Sequence, residues 1–177
     1  NIHIPSQLKS SIIYSNKFDE DYIQNIISEL LSNNGFNECI NNSLSKSSYS
    51  DLITEIKLDE QVKLLNPLSQ DLDGMRQSLL FSGLESIAYN LNRKNYNLNF
   101  YEFGKTYQII KNQYIEKKKL ILIACGNEKS ECWNEKNIKK EFFWIKQKVE
   151  HILNRLGLND LKGKNIDLSY LFNTYSF

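Results

Sequence analysis

Residues 98–125 read LNFYEFGKTYQIIKNQYIEKKKLILIAC, and their patterning decides the fold class. Leu98, Phe100 and Phe103 flank a short strand that ends at Gly104, and residues 107–110 make a second. Lys111, Asn112 and Gln113 supply the turn. Residues 120–125 are almost wholly apolar and predict a buried strand. Helical patterns lie on both sides of this β region. Upstream, a helix is predicted over 77–93, with Leu80, Leu84, Ile87, Ala88 and Leu91 on one side; Gly83 inside it weakens it slightly. Downstream, residues 139–156 carry Phe142, Ile145, Val149, Ile152, Leu153 and Leu156 at helical period, and Gly157 closes the run. Helices and antiparallel strands segregate along the chain, which predicts an α+β fold.

Further toward the N-terminus, residues 19–33 predict another helix. Asp19, Glu20 and Asp21 crowd its first turn, where carboxylates meet the positive end of the helix dipole. Tyr22, Ile23, Ile26, Ile27, Leu30 and Leu31 form a broad apolar stripe, and Gly35 is the expected stop. Residues 36–44 loosen toward a strand, 45–51 are Ser-rich and read as a loop, and 62–65 predict a strand ended by Asn66-Pro67. Residues 1–18, with Pro5 and a polar stretch, read as a linker from an upstream domain. The chain also begins without Met, as a fragment would. Residues 164–177 read as a weak strand or tail, so the folded unit is expected over 19–177.

Composition narrows the function classes. The chain has 177 residues, 41% of them hydrophobic, and a formal charge of +1. That is enough apolar material for a real core, and too little net charge for nucleic-acid binding by bulk charge. No apolar run reaches the length a membrane helix needs, and no secretory signal opens the chain. A soluble, cytoplasmic protein is the expectation. Three Cys and two His exclude a disulfide-dense scaffold. Cys125 and Cys132 lack a second close pair of ligands, so a structural zinc is not expected. Cys39 has no nearby His to act as base. His151 falls within the last helix as a boundary residue, and His3 in the tail. No glycine-rich phosphate loop occurs. The triplet Asn41-Asn42-Ser43 matches the glycosylation pattern by chance. Lys117, Lys118 and Lys119 precede the most apolar strand as solubilising gatekeepers, with an RNA-phosphate contact as the alternative. Catalytic hardware is missing from a chain that otherwise patterns as well folded.

One ordered set of short motifs is more specific. Asn66-Pro67-Leu68-Ser69 is followed by Met75-Arg76-Gln77-Ser78-Leu79-Leu80, then by Asn90 at the end of a helix, then by Tyr101-Glu102-Phe103-Gly104 leading into Lys105-Thr106-Tyr107. Upstream stands Gly35-Phe36-Asn37-Glu38; downstream stands Glu141-Phe142-Phe143-Trp144-Ile145-Lys146. In this order and spacing the set resembles the bacterial phenylalanyl-tRNA synthetase beta subunit, over nearly the whole chain.

The resemblance implies a class II synthetase-like core, an antiparallel sheet flanked by helices, incomplete at its C-terminal end. In that family the beta subunit's copy is catalytically silent. The alpha subunit binds ATP and phenylalanine, and two of each subunit assemble. ATP and Mg would then belong to the assembled enzyme, with no cofactor or metal in this piece, and the editing site would lie elsewhere in the beta chain. Active class II domains carry an Arg on the second-motif strand that grips the α-phosphate of ATP, because charge builds there during attack. The matching position here is Gln108, which donates a hydrogen bond but no charge. The first-motif proline is also missing, with Asn42 in its place. By the same resemblance, the stripe Ile23, Ile26, Ile27, Leu30 and Leu31 is expected at the interface with the alpha subunit, the alternative being that all of it faces this domain's own sheet. Lys117, Lys118 and Lys119 are the candidate tRNA contact from their charge alone. The expected function is non-catalytic scaffolding of phenylalanine–tRNA ligase. The alternative is a class II-like regulatory domain that binds a nucleotide or small ligand on its own.

Overall fold

The computed structural model describes residues 19–52, 58–129, 133–134, 137–159, 161, 164–165 and 175–176. The linker expectation for 1–18, Cys132 and most of the C-terminal tail lie outside them. The first helix, α1 (Glu20–Asn33), starts where its chemistry dictates: the Asp19 carboxylate accepts from the Tyr22 N–H at 3.0 Å. It ends in a Schellman turn. Gly35 takes φ +79°, its N–H donates to the Ser32 carbonyl, and the Phe36 N–H reaches back to Leu31, both at 3.0 Å.

The segment expected to loosen into a strand after α1 resolves into two short pieces, β1 (Asn37–Glu38) and β2 (Leu44–Ser45). A 3-10 turn at Ser47–Leu52 occupies the Ser-rich loop. The strand expected over 62–65 is reduced to one bridge, Lys63 to Gly74, and its place is taken by β3 (Gly74–Met75), which pairs antiparallel with β2. Helix α2 (Leu80–Leu91) is shorter than the expected 77–93 and matches the extent of its apolar pattern.

Next come β4 (Leu98–Ile110) and β5 (Gln113–Cys125), which form one continuous antiparallel hairpin. The break expected at Gly104 is absent, because Gly104 sits in register opposite Lys119 within the ladder. The turn is tight, with Lys111 at φ 51° and Asn112 at φ 63°, the left-handed pair a two-residue hairpin requires. β1 adds a parallel pairing to β4, giving a three-stranded sheet in the order β1-β4-β5. The sheet is therefore mixed, within an α+β fold. The third helix, α3 (Phe142–Arg155), follows, and β6 (Lys164–Asn165) pairs with β7 (Tyr175–Ser176).

Alternation along β4 divides the molecule into two faces. Tyr101 and Phe103 point to one side, where α1 and α3 cover them. Tyr101 is buried there with Ile27, Leu31, Phe36 and Ile152, and Leu120 and Leu122 of β5 pack against the same cluster. Glu102, Gly104 and Thr106 point to the other side and are buried as well. That side meets α2 through Gly83, where a Cβ would come within 2.0 Å of Ile123 Cδ1. The glycine read as a weakness in the helix is the point at which helix and sheet touch. In consequence Ile87 is the buried residue of the α2 stripe, while Leu84, Ala88 and Leu91 face out, so the stripe does not all lie on the core side. Residues 120–125 are half-buried instead of fully buried, because β5 is the outer strand of the described sheet.

Candidate functional site

The most ordered polar constellation lies on the α2 side of β4. Arg76 and Glu102 form a buried ion pair, with Nη1 2.7 Å from Oε1 and side-chain exposures of 4% and 2%. The other carboxylate oxygen accepts from Asn41 Nδ2 at 2.7 Å, and Asn41 Oδ1 in turn accepts from the Ser86 hydroxyl at 2.8 Å. Arg76 Nε donates to the Lys105 carbonyl at 3.0 Å. Four segments are thereby tied together: the loop after β1, the turn after β3, α2 and β4. Burying two opposite charges is tolerable only with this degree of hydrogen-bond saturation. Gly104 makes the room. A Cβ there would stand 2.5 Å from Arg76 Nη2 and 2.6 Å from Leu79 Cδ2. The Arg, the Glu and the Gly of two separate motifs are one packing unit.

The pairing was not legible in advance. A lone Glu between Tyr101 and Phe103, followed two residues later by Gly, was the available signal: a buried charge needs a cation, and a nearby missing side chain leaves space for one. Asn42 has a local role, its Oδ1 accepting from the Leu44 N–H at 3.0 Å to close a turn. Burial and the neighbouring Glu102 carboxylate push the Cys39 thiol upward, away from a reactive thiolate.

The Gln108 amide nitrogen lies 3.4 Å from Glu60 Oε2, which puts a carboxylate beside a neutral amide at this position. His151 is exposed, and no group of His, Cys, Asp or Glu suited to a metal occurs among the described residues.

Strand alternation splits the lysine run. Lys118 shares the α1 side with Lys105 and lies 3.9 Å from Glu20, and Lys105 itself is bound to Glu116. Lys117 and Lys119 share the register positions of Thr106 and Gly104, on the opposite face. The three lysines therefore do not share one face of the hairpin. The α1 stripe divides into inner and outer positions. Ile27 and Leu31 are 6% and 1% exposed and belong to this domain's own core. Ile23 and Leu30 pack partly against that core. Ile26 is half-buried, and Tyr22 stands exposed one turn before it.

The architecture is that of a class II aminoacyl-tRNA synthetase-like domain. The chain superposes on an ATP phosphoribosyltransferase regulatory subunit/histidyl-tRNA synthetase of Bacillus halodurans with a TM-score of 0.61 at 15% identity, over 92% of this chain and 41% of that one. A pyrrolysyl-tRNA synthetase of Desulfitobacterium hafniense gives 0.59 at 15% identity, over 82% and 48%. At those identities the likeness is one of fold. Sequence goes further: residues 4–176 match the phenylalanyl-tRNA synthetase beta chain CLM domain, and the chain belongs to that family. The phenylalanine–tRNA ligase beta subunit of Bacteroides thetaiotaomicron is 40% identical over 169 residues, 90% of this chain and 21% of that protein. Its counterpart in Porphyromonas gingivalis is 34% identical over 167 residues, 89% and 20%. The chain thus spans about a fifth of the length of the curated relatives it matches. No described helix is long and apolar enough to cross a membrane.

Proposed function

We propose that this chain is a catalytically silent module of phenylalanine–tRNA ligase, a cytoplasmic enzyme of two alpha and two beta subunits. It docks on the catalytic alpha subunit and helps hold tRNA for ATP-dependent phenylalanylation. The observation that carries the reading is Gln108: its neutral amide faces Glu60 where an active class II domain would present an Arg to the α-phosphate. Family membership supports a synthetase partner. On this reading ATP and Mg are held by the alpha subunit.

The test is co-expression of the tagged chain with the alpha subunit of the same organism, followed by sizing and mass analysis. A stoichiometric complex is expected; a folded module that remains alone overturns the scaffold reading. Thermal shift with ATP and with phenylalanine separates the alternative, since ligand at a hundred times Kd stabilises by about 2.7 kcal/mol. No shift is expected. A clear shift would make this a nucleotide-binding regulatory domain instead.

A further inference from the structure

The two faces of β4 are held by different physics. The α1–α3 side is an apolar cluster of Ile27, Leu31, Phe36, Tyr101 and Ile152. On the other side the buried residues are mostly polar: Ser50, Gln61, Arg76, Gln77, Glu102 and Thr106, with Leu79 and Ile87 as the buried aliphatics among the described residues. Across that polar face runs the segment 61–79, which contains β3 and no long helix or strand of its own.

Its polar attachments are directional. The Arg76 N–H donates to the Ser43 carbonyl at 2.9 Å, and the Tyr107 N–H donates to the Arg76 carbonyl at 3.0 Å. Ser47 donates twice to Asp73, at 2.7 Å from its N–H and 2.6 Å from its hydroxyl, and Ser50 donates to Gln77 at 2.9 Å. The Arg76–Glu102 pair sits at the centre. The Gln61 amide nitrogen donates to the Ser47 carbonyl at 3.3 Å, while its Oε1 is buried with no hydrogen-bond partner among the described residues. Hydrogen bonds and one ion pair give little net stability each, whereas apolar burial on the opposite face is cumulative.

We infer that residues 61–79, with β2 alongside, form a strap that opens as a separate cooperative unit when the Arg76–Glu102 clip is released, while the α1–α3 face of the sheet stays folded. Local opening of this kind is ordinary where buried apolar contacts are sparse. Opening would uncover the polar face of β4 and free the loop that displays Leu65 and Leu68, both 98% exposed.

Backbone hydrogen exchange on the folded chain tests this. In the wild type, the amides of Leu64, Met75, Arg76 and Tyr107 are expected to exchange at least about tenfold faster than those of α1 and the central β4–β5 ladder. Low denaturant should accelerate the strap amides less steeply than the ladder amides, as sub-global opening exposes less surface. Glu102→Gln keeps the shape and weakens the clip; it should accelerate the four strap amides at least about tenfold. Because the clip is absent from every opened state, it should also lower the limit set by α1 by a similar factor, so that the gap between strap and α1 persists. Equal rates throughout the wild type, or strap amides that do not respond in the variant, would overturn the strap. The wild-type arm stands even if the variant fails to fold.

Discussion

Arg76 and Glu102 behave as a single residue in energetic terms. Each is nearly inaccessible, and each satisfies the other at 2.7 Å. Removing only one strands a buried charge, so Arg76→Met should cost about 3–5 kcal/mol in urea unfolding. The double variant Arg76→Met/Glu102→Leu should lose less than the two single costs added together, because it removes the pair and leaves no orphan. Strict additivity would mean the two side chains do not depend on one another. Leu68 is the opposite case. Although it stands in one of the short motifs that carry the family resemblance, it is 98% exposed among the described residues. Leu68→Asp should therefore shift stability by no more than about 0.5 kcal/mol. A large loss would place Leu68 against a part of the chain outside the described residues.

At the scale of elements, α2 and β5 approach closely because Gly83 permits it. A Cβ at that position would overlap Ile123 Cδ1 at 2.0 Å, so Ile123 must move to admit any side chain. Gly83→Val should cost about 1–3 kcal/mol through overpacking, and a smaller residue at 123 should recover part of it. If Gly83→Val were as stable as the parent, helix and sheet would be further apart than described. Helix α1 separates into an inner and an outer line for the same geometric reason. Ile27 and Leu31 point at Tyr101 and Ile152, whereas Tyr22 and Ile26 lie one turn apart toward the exposed side. Ile27→Asp should collapse the thermal melt outright, since an unpaired carboxylate would enter the core.

For the whole molecule, the proposed function puts the alpha–beta contact on the outer line of α1. Ile26→Asp should weaken co-purification with the alpha subunit at least about tenfold, equivalent to 1.4 kcal/mol, while the melt changes little. If the melt falls with the affinity, Ile26 is core, and the contact lies elsewhere. Replacing Gln108 with Arg should not confer ATP binding, because Glu60 at 3.4 Å would pair with the new cation before a phosphate could. Titration calorimetry of Gln108→Arg with ATP checks this, and measurable binding would mean that the neutral residue alone keeps the site silent.

What the sequence by itself determined is whatever depends on local period and local chemistry. The three helices were legible from apolar spacing, the α1 ends from Asp19 and Gly35, and the hairpin turn from Lys111–Gln113, because caps and turns are solved within a few residues. The ordered motifs also identified the family, without saying what each residue does in the fold. Tertiary structure decided the rest. Which side of the α1 stripe is core, why Gly83 and Gly104 are glycines, how strand alternation scatters Lys117–Lys119, and that Arg76 belongs to Glu102 all depend on partners distant in sequence. Arg76 and Glu102 are 26 residues apart. A buried charge announces its need for a partner, but only the folded chain brings that partner within 3 Å.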